Sequence, residues 1–263
     1  MLNDVRLRLA PDLKRATSLP LALTFAAALG GCASTATTAP SPEDPWEGFN
    51  RNVFAFNDVL DRYALRPVAS GYHTITPDPV EDSVGNFFSN LGEVRTVLNS
   101  LLQGKVENAS RATSRLLINT TAGVGGLFDV ATKMDIQKQE EDFGQTLAAW
   151  GWTDSRYLVL PFLGPSTLRD TTGLPVNMAT YPVTYVDDDT TRISLRVLQL
   201  IDERAGFLEQ EDLIRGDRYR FLRDAYLQNR AFKINDGELG NDPFASDDFE
   251  FDDADFSDDN AAD

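Results

Sequence analysis

Asp44-Pro45-Trp46-Glu47-Gly48-Phe49-Asn50-Arg51-Asn52-Val53-Phe54-Ala55-Phe56-Asn57-Asp58-Val59-Leu60-Asp61-Arg62-Tyr63 is written with a helical period. Trp46, Phe49, Val53, Phe56, Leu60 and Tyr63 recur at spacings of 3, 4, 3, 4 and 3, which lays one apolar stripe along a helix. Phe54 and Val59 widen the stripe, and Asn50, Arg51, Asn52, Asp58, Asp61 and Arg62 occupy the other side. Asp44 as N-cap, Pro45 at the first helical position and Glu47 at the third make a capping-box-like start. Pro67 is expected to end the helix by disfavouring helical geometry at Arg66. The stripe has two readings that spacing alone leaves open. It suits a core-facing helix of a soluble bundle, or an interfacial helix whose aromatics sit where acyl chains meet headgroups.

Working downstream, apolar periodicity predicts helices over Asp78–Gln103, Lys105–Thr120, Thr190–Phe207 and Asp217–Phe232, and Phe143–Trp150 is a further short apolar segment. Strand signals are scarce, so the fold class is mostly α. Gly123-Val124-Gly125-Gly126 lacks the third glycine spacing and the βαβ context of a dinucleotide fingerprint, and reads as a close-packed bend. Tyr157-Leu158-Val159-Leu160-Pro161-Phe162-Leu163-Gly164-Pro165 is apolar but broken by two prolines and a glycine. That punctuation forbids a regular helix or a central strand and predicts an irregular apolar loop.

Working upstream, Arg6, Arg8, Lys14 and Arg15 precede the apolar run Ser18–Leu29, which is too short to span a bilayer. A basic start, an apolar centre and small residues at the cut spell a signal peptide over residues 1–31. The single cysteine, Cys32, then takes the first mature position in Leu29-Gly30-Gly31-Cys32, which looks like a bacterial lipobox. Cys32 is therefore expected to carry a diacylglyceryl group and an N-acyl chain (palmitate being typical), more than the two chains that stable anchoring needs. No other cofactor is expected. Residues 32–43 read as a lipidated flexible tether, 44–233 as one helical domain, and 234–263 as a disordered acidic tail. Ala33 in place of an aspartate after the lipidated cysteine favours export, in a Gram-negative cell, to the inner leaflet of the outer membrane.

The net charge of −17 is concentrated in that tail, where 12 acidic residues and no basic one leave −5 for everything before Asn235. With no basic patch interleaved with aromatics, nucleic-acid binding is set aside. Catalysis has no residues to stand on. His73, the one histidine, lies between Pro67 and Pro77 in an expected loop, and no second histidine or free thiolate completes a zinc site. No G-x-S-x-G elbow occurs, and Asp187-Asp188-Asp189 lacks the oxygen spacing of a calcium loop, so a helix cap at Asp189 or Thr190 is the simpler role. The chain is read as no enzyme, with catalytic and metal residues none.

Several ordered blocks carry a likeness to a known family. Asp44-Pro45-Trp46-Glu47-Gly48-Phe49-Asn50-Arg51, Phe56-Asn57, Arg66-Pro67, Asn86-Phe87, Asn99, Leu102-Gln103-Gly104, Arg115 and Asn119-Thr120 begin it. Gly123–Ala131, Asp142–Leu147 and Leu160–Asp170 complete it. Together they resemble the MlaA/VacJ outer-membrane lipoproteins, which maintain lipid asymmetry. The resemblance implies a single ring-like helical domain embedded in one membrane leaflet, with an amphipathic channel that removes mislocalised phospholipid from the outer leaflet. The lipid would pass to a periplasmic phospholipid carrier, and the lipoprotein would associate with a trimeric porin at the periplasmic face of the outer membrane. The alternative is a structural lipoprotein that scaffolds porins or envelope assembly without moving lipid. On the resemblance, Trp46, Phe49, Val53, Phe56 and Leu60 are expected to face the membrane. Gly123, Gly125, Gly126, Phe162, Leu163 and Pro165 are the candidates for a channel lining or apolar lip, with ordinary packing as the competing role.

Overall fold

The expected first helix forms as α1, Glu47–Leu60, in a computed structural model that describes residues 41–214 and 216–237. The signal peptide, Cys32, the tether up to residue 40 and the tail from residue 238 lie outside the described residues. Asp44 is not the cap. Trp46 takes the N-cap position without a side-chain bond, because the Asp44 carboxylate is engaged elsewhere. It is fully buried, and accepts from Asn50 Nδ2 at 2.7 Å and from the Tyr219 hydroxyl, 175 residues away, at 2.5 Å. Nor does Pro67 end the helix. The chain widens into a π-turn at Asp61–Leu65, where the Arg66 N–H donates to the Asp61 carbonyl, and runs on as α2, Arg66–Ile75, with Pro67 in the first turn. A proline there removes a donor that a helix start leaves unused. His73 consequently sits on α2 rather than in a loop.

Two expected helices follow with ends shifted by one residue, α3 (Asp78–Leu102) and α4 (Val106–Thr121), then an unexpected single turn α5 (Val130–Lys133), and the short apolar segment forms α6 (Phe143–Ala149). After the hairpin come α7 (Leu168–Ala179), α8 (Asp189–Ala205) and α9 (Arg218–Ile234). Short 3-10 turns at Pro182–Tyr185 and Glu209–Leu213 join them. Asp188, one residue before the expected cap, accepts from the Thr191 N–H at the start of α8, and Asp217 caps α9. The fold is mostly helical.

The expected irregular loop is instead an antiparallel hairpin of β1 (Tyr157–Leu160) and β2 (Gly164–Thr167), with Leu160 opposite Gly164. Pro165 is tolerated because a two-stranded ribbon has only edge strands. The free edge of β1 is closed by a helix. Asn50 donates to the Tyr157 carbonyl (3.2 Å) and accepts from the Val159 N–H (2.9 Å). Two turns on, Asn57 donates to the Leu160 carbonyl and accepts from the Phe162 N–H, both at 2.9 Å. Each amide presents one donor and one acceptor, so α1 completes the ladder as a third strand would. Beneath it Val53, Tyr157, Val159 and Tyr219 form a small apolar core.

Elsewhere the interior is held by charges. Arg115 is buried between Glu93 (2.8 Å) and Asp129 (2.9 Å), joining α4 to α3 and to the start of α5. Arg230 of α9 clamps Asp142 with two bonds of 2.5 and 2.7 Å and reaches Asp170 at 2.7 Å, tying α6, α7 and α9 together. Burial opposes the charge on Asp142, but Arg230 and the Gln145 N–H outweigh it and hold the carboxyl well below the usual carboxylate range.

Asn50→Ala leaves the Val159 N–H and Tyr157 carbonyl unpaired, and denaturant unfolding should show a loss of about 1–3 kcal/mol for each orphaned group. Because the Asp142 pKa is depressed, its contribution is complete above an ordinary carboxylate pKa of ~4 and is lost as pH falls through the lower native value. Stability measured against pH should therefore drop more steeply below about pH 4 in the parent chain than in Asp142→Asn, which should already be weaker at neutral pH.

Candidate functional site

Helix α3 presents Gly85, Phe88, Ser89, Gly92, Arg95 and Thr96 along one face, at the i, i+3, i+4, i+7 spacing that brings residues into line. Three of the six are glycine or serine, and the side-chain volume they lack opens a cavity of about 450 Å³. A Cβ built on Gly92 would meet nothing within 4 Å. The facing walls are Leu174, Asn177 and Met178 of α7, Tyr181, and Arg196, Gln199, Asp202 and Glu203 of α8, with Lys138 and Glu140 closing one side.

The charges in this lining are unevenly satisfied. Glu140 pairs with Lys138 at 2.6 Å and Lys233 at 2.8 Å, and although burial opposes it, these lysines hold it at about 2. Glu203 accepts from Gln199 Nε2 at 2.8 Å through one oxygen alone, and burial pushes its pKa up. Asp202 accepts from the Tyr72 hydroxyl at 2.8 Å and is also pushed up by burial. Arg95 and Arg196 have no carboxylate partner among the described residues. The Arg95 Nε is buried without a hydrogen bond, while Arg196 donates to Thr184 Oγ1 at 2.7 Å and stands 5.8 Å from the Tyr181 ring centre. Burial pushes the Tyr181 hydroxyl up to about 12, so it remains a neutral donor and bonds Gln199 Oε1 at 3.0 Å.

Phe88, Leu174 and Met178 border these groups, so one cavity offers apolar wall and unmatched charge together. That combination accommodates an amphipathic molecule. Nothing in it assembles a nucleophile with a base, and no cluster of three or more His, Cys, Asp or Glu is placed to hold a metal ion among the described residues. A second cavity of about 420 Å³ meets the first at Gly85 and Asp202, and is bordered by His73, Asp78, Glu81, Asp82 and Glu209. His73 lies 3.0 Å from Glu81, whose hydrogen bond raises its pKa.

The family model described as MlaA lipoprotein matches residues 42–233. This chain belongs to the MlaA lipoprotein family. It is 37% identical over 233 residues to the "Intermembrane phospholipid transport system lipoprotein MlaA" of Escherichia coli, covering 86% of this chain and 90% of that protein. Identity to the Shigella flexneri protein of the same name is 37% over 231 residues, with the same coverage. An uncharacterized protein of Rickettsia typhi, RT0044, is 39% identical over 195 residues, 73% of this chain and 78% of its own. A solved chain from "Structural basis for maintenance of bacterial outer membrane lipid asymmetry" superposes with a TM-score of 0.64 at 36% identity, covering 73% of this chain and 99% of that one.

Family membership does not place every residue singled out from the sequence in the cavity. Gly123, Gly125 and Gly126 form the turn after α4. A Cβ on Gly123 would stand 2.2 Å from the Phe128 carbonyl oxygen, one on Gly126 would strike Asn90, and Gly125 has a φ of +72° with open space around it. Phe162 and Leu163 form the exposed hairpin tip, with Pro165 half-buried behind them. None of these six borders the two cavities. Along α1, Trp46, Phe49, Phe56 and Leu60 are about two-fifths exposed, but Val53 is 1% exposed and faces the core, a correction to its expected membrane-facing place. Phe56 meets Phe162 edge-on with ring centres 5.3 Å apart, which joins that face to the hairpin tip.

The cavity residues Arg95, Arg196 and Glu203 escape sequence reasoning because no short motif links them. The one signal is Gly85, Ser89 and Gly92, small residues recurring on one face of the helix. Since the Gly92 position is open, Gly92→Ala should raise stability by about 0.5–1 kcal/mol through helix propensity, read as a higher denaturation midpoint.

Proposed function

We propose that this chain is an outer-membrane lipoprotein which takes mislocalised phospholipid through the α3–α7–α8 cavity and passes it towards a periplasmic carrier, maintaining lipid asymmetry. The single observation that carries the reading is the cavity itself: apolar wall and unpaired arginines in one lining, within a chain whose relatives are named for intermembrane phospholipid transport. The domain would lie as a ring in the inner leaflet, anchored by acyl chains on Cys32. No described helix is long and apolar enough to cross a membrane. Phe56, Val59 and Leu60 of α1 and Tyr63 of the π-turn, with Phe162 and Leu163, leave an apolar surface that the acyl region of one leaflet would cover. A trimeric porin beside the domain would give it a fixed place in the membrane.

Transfer on this reading needs no catalysis. The headgroup would follow the charged lining while acyl chains stay against Phe88, Leu174, Met178 and the surrounding lipid. Direction would come from the carrier, because binding that treats both membranes alike shifts no equilibrium.

The test is a deletion strain complemented by the parent chain, Gly92→Phe or Cys32→Ser. Loss of the protein should place phospholipid in the outer leaflet, measured by lipid labelling at the cell surface, and raise sensitivity to detergent with chelator. The parent should restore asymmetry. Gly92→Phe, folded by circular dichroism but with an aromatic ring in the cavity, should not, and Cys32→Ser should fail through loss of anchoring. An unchanged outer leaflet in the deletion strain, with porin or envelope assembly disturbed, would sink lipid transport in favour of scaffolding.

A further inference from the structure

The cavity's charges do not form one kind of site but two, side by side. Glu140 is neutralised by Lys138 and Lys233, and among the described residues Arg95 and Arg196 on one hand and Asp202 and Glu203 on the other make no direct ion pair. Arg95, Arg196 and Glu203 all lie within electrostatic reach of one group, the Tyr181 hydroxyl. All four residues line the one cavity. Glu203 uses Oε1 for Gln199 and leaves Oε2 for another donor.

We infer that this cavity selects a zwitterionic phospholipid whose headgroup ends in a primary amine, holding the phosphodiester between Arg95 and Arg196 and the ammonium on Glu203. The inference rests on the lipid-carrying reading above and adds the headgroup class.

Two arguments favour the zwitterion over an anionic headgroup. First, an anionic lipid satisfies the arginines but brings no N–H donor to the Glu203 oxygen that Gln199 leaves free, and sets its net negative charge beside that carboxylate. A primary ammonium supplies those donors while the phosphodiester meets the arginines. Second, the adjoining cavity is bordered by Asp78, Glu81, Asp82, Asp202 and Glu209, with His73 paired to Glu81. A headgroup of net negative charge approaching through that side meets like charge throughout, whereas an ammonium leading the way is drawn in.

The test uses the full lipidated chain reconstituted into vesicles of equal parts phosphatidylethanolamine and phosphatidylglycerol, then repurified in mild detergent, with its bound lipid quantified by mass spectrometry. The parent chain should hold phosphatidylethanolamine in about tenfold excess, the ratio given by one net charge-assisted contact. Glu203→Gln should bring the ratio close to that of the vesicle while total bound lipid is kept. Arg95→Gln with Arg196→Gln should lower the bound amount of both lipids. The parent ratio decides the matter even where a variant does not fold. Bound lipid that mirrors the vesicle, or an excess that survives in Glu203→Gln, overturns headgroup selection and leaves lipid carrying intact. A chain that retains no phospholipid of either class overturns both.

Discussion

Buried guanidinium groups hold the walls of the cavity apart. Arg230 grips Asp142 at the start of α6 and Asp170 in the first turn of α7, and α7 carries Leu174, Asn177 and Met178 to one side of the open space. Arg115 does the same for the other side, fixing α3 through Glu93 against α4 and the turn at Asp129. Such pairs are no better than hydrophobic packing at stabilising a fold, since desolvation offsets most of their attraction. Their strength is geometric: a bidentate or three-cornered guanidinium fixes where each helix sits. Close approach is required as well. At Gly144 a Cβ would stand 2.1 Å from the Asp170 carboxylate, so glycine is the residue that lets α6 come near enough to the clamp.

A cavity between helices persists where side-chain volume is missing and the surroundings relax only partly into it. Here the α3 face combines missing side chains at Gly85, Ser89 and Gly92 with a buried Arg115 clamp close by, on Glu93. Space is opened by the first and kept by the second. The apolar surface that a water-soluble domain would place inside is instead carried outward, at Phe56, Tyr63 and the Phe162 tip, with Phe162 66% exposed. Polar clamps within and apolar groups without suit a domain whose outside is hydrocarbon, the setting proposed for it. The Asn50 and Asn57 ladder fits the same scheme, because its side-chain amides close the edge of β1 and fix the chain leading into the Phe162 tip.

Much of the helical framework is legible in the order of residues. The apolar period in α3, α4, α8 and α9 marks their extents to within a few residues, since that signal is local and repeats each turn. Proline misleads in both directions. Pro67 signals a helix end, yet a π-turn before it lets the axis continue, and Pro161 and Pro165 signal a loop, yet a two-stranded ribbon accepts them. Helix α7, with Pro175 inside it, is hidden for the same reason. The family blocks carry a true likeness, but their members Asn50, Arg115, Asn119, Asp142 and Asp170 are buried or partly buried parts of the scaffold rather than lining of the cavity.

The sequence by itself determined the mainly helical class, the acidity of the last stretch and the family blocks. Each is a property of neighbouring residues or of a fixed order along the chain. Only the tertiary structure decided that Val53 turns inward while Phe56 turns out, that Asp44 bonds Tyr219 instead of capping α1, and that Arg95, Arg196 and Glu203 share one cavity. The physical reason is distance along the chain. Arg95 and Glu203 lie on helices far apart in sequence, and whether a charge is paired or left free for a ligand depends on which helix packs against it.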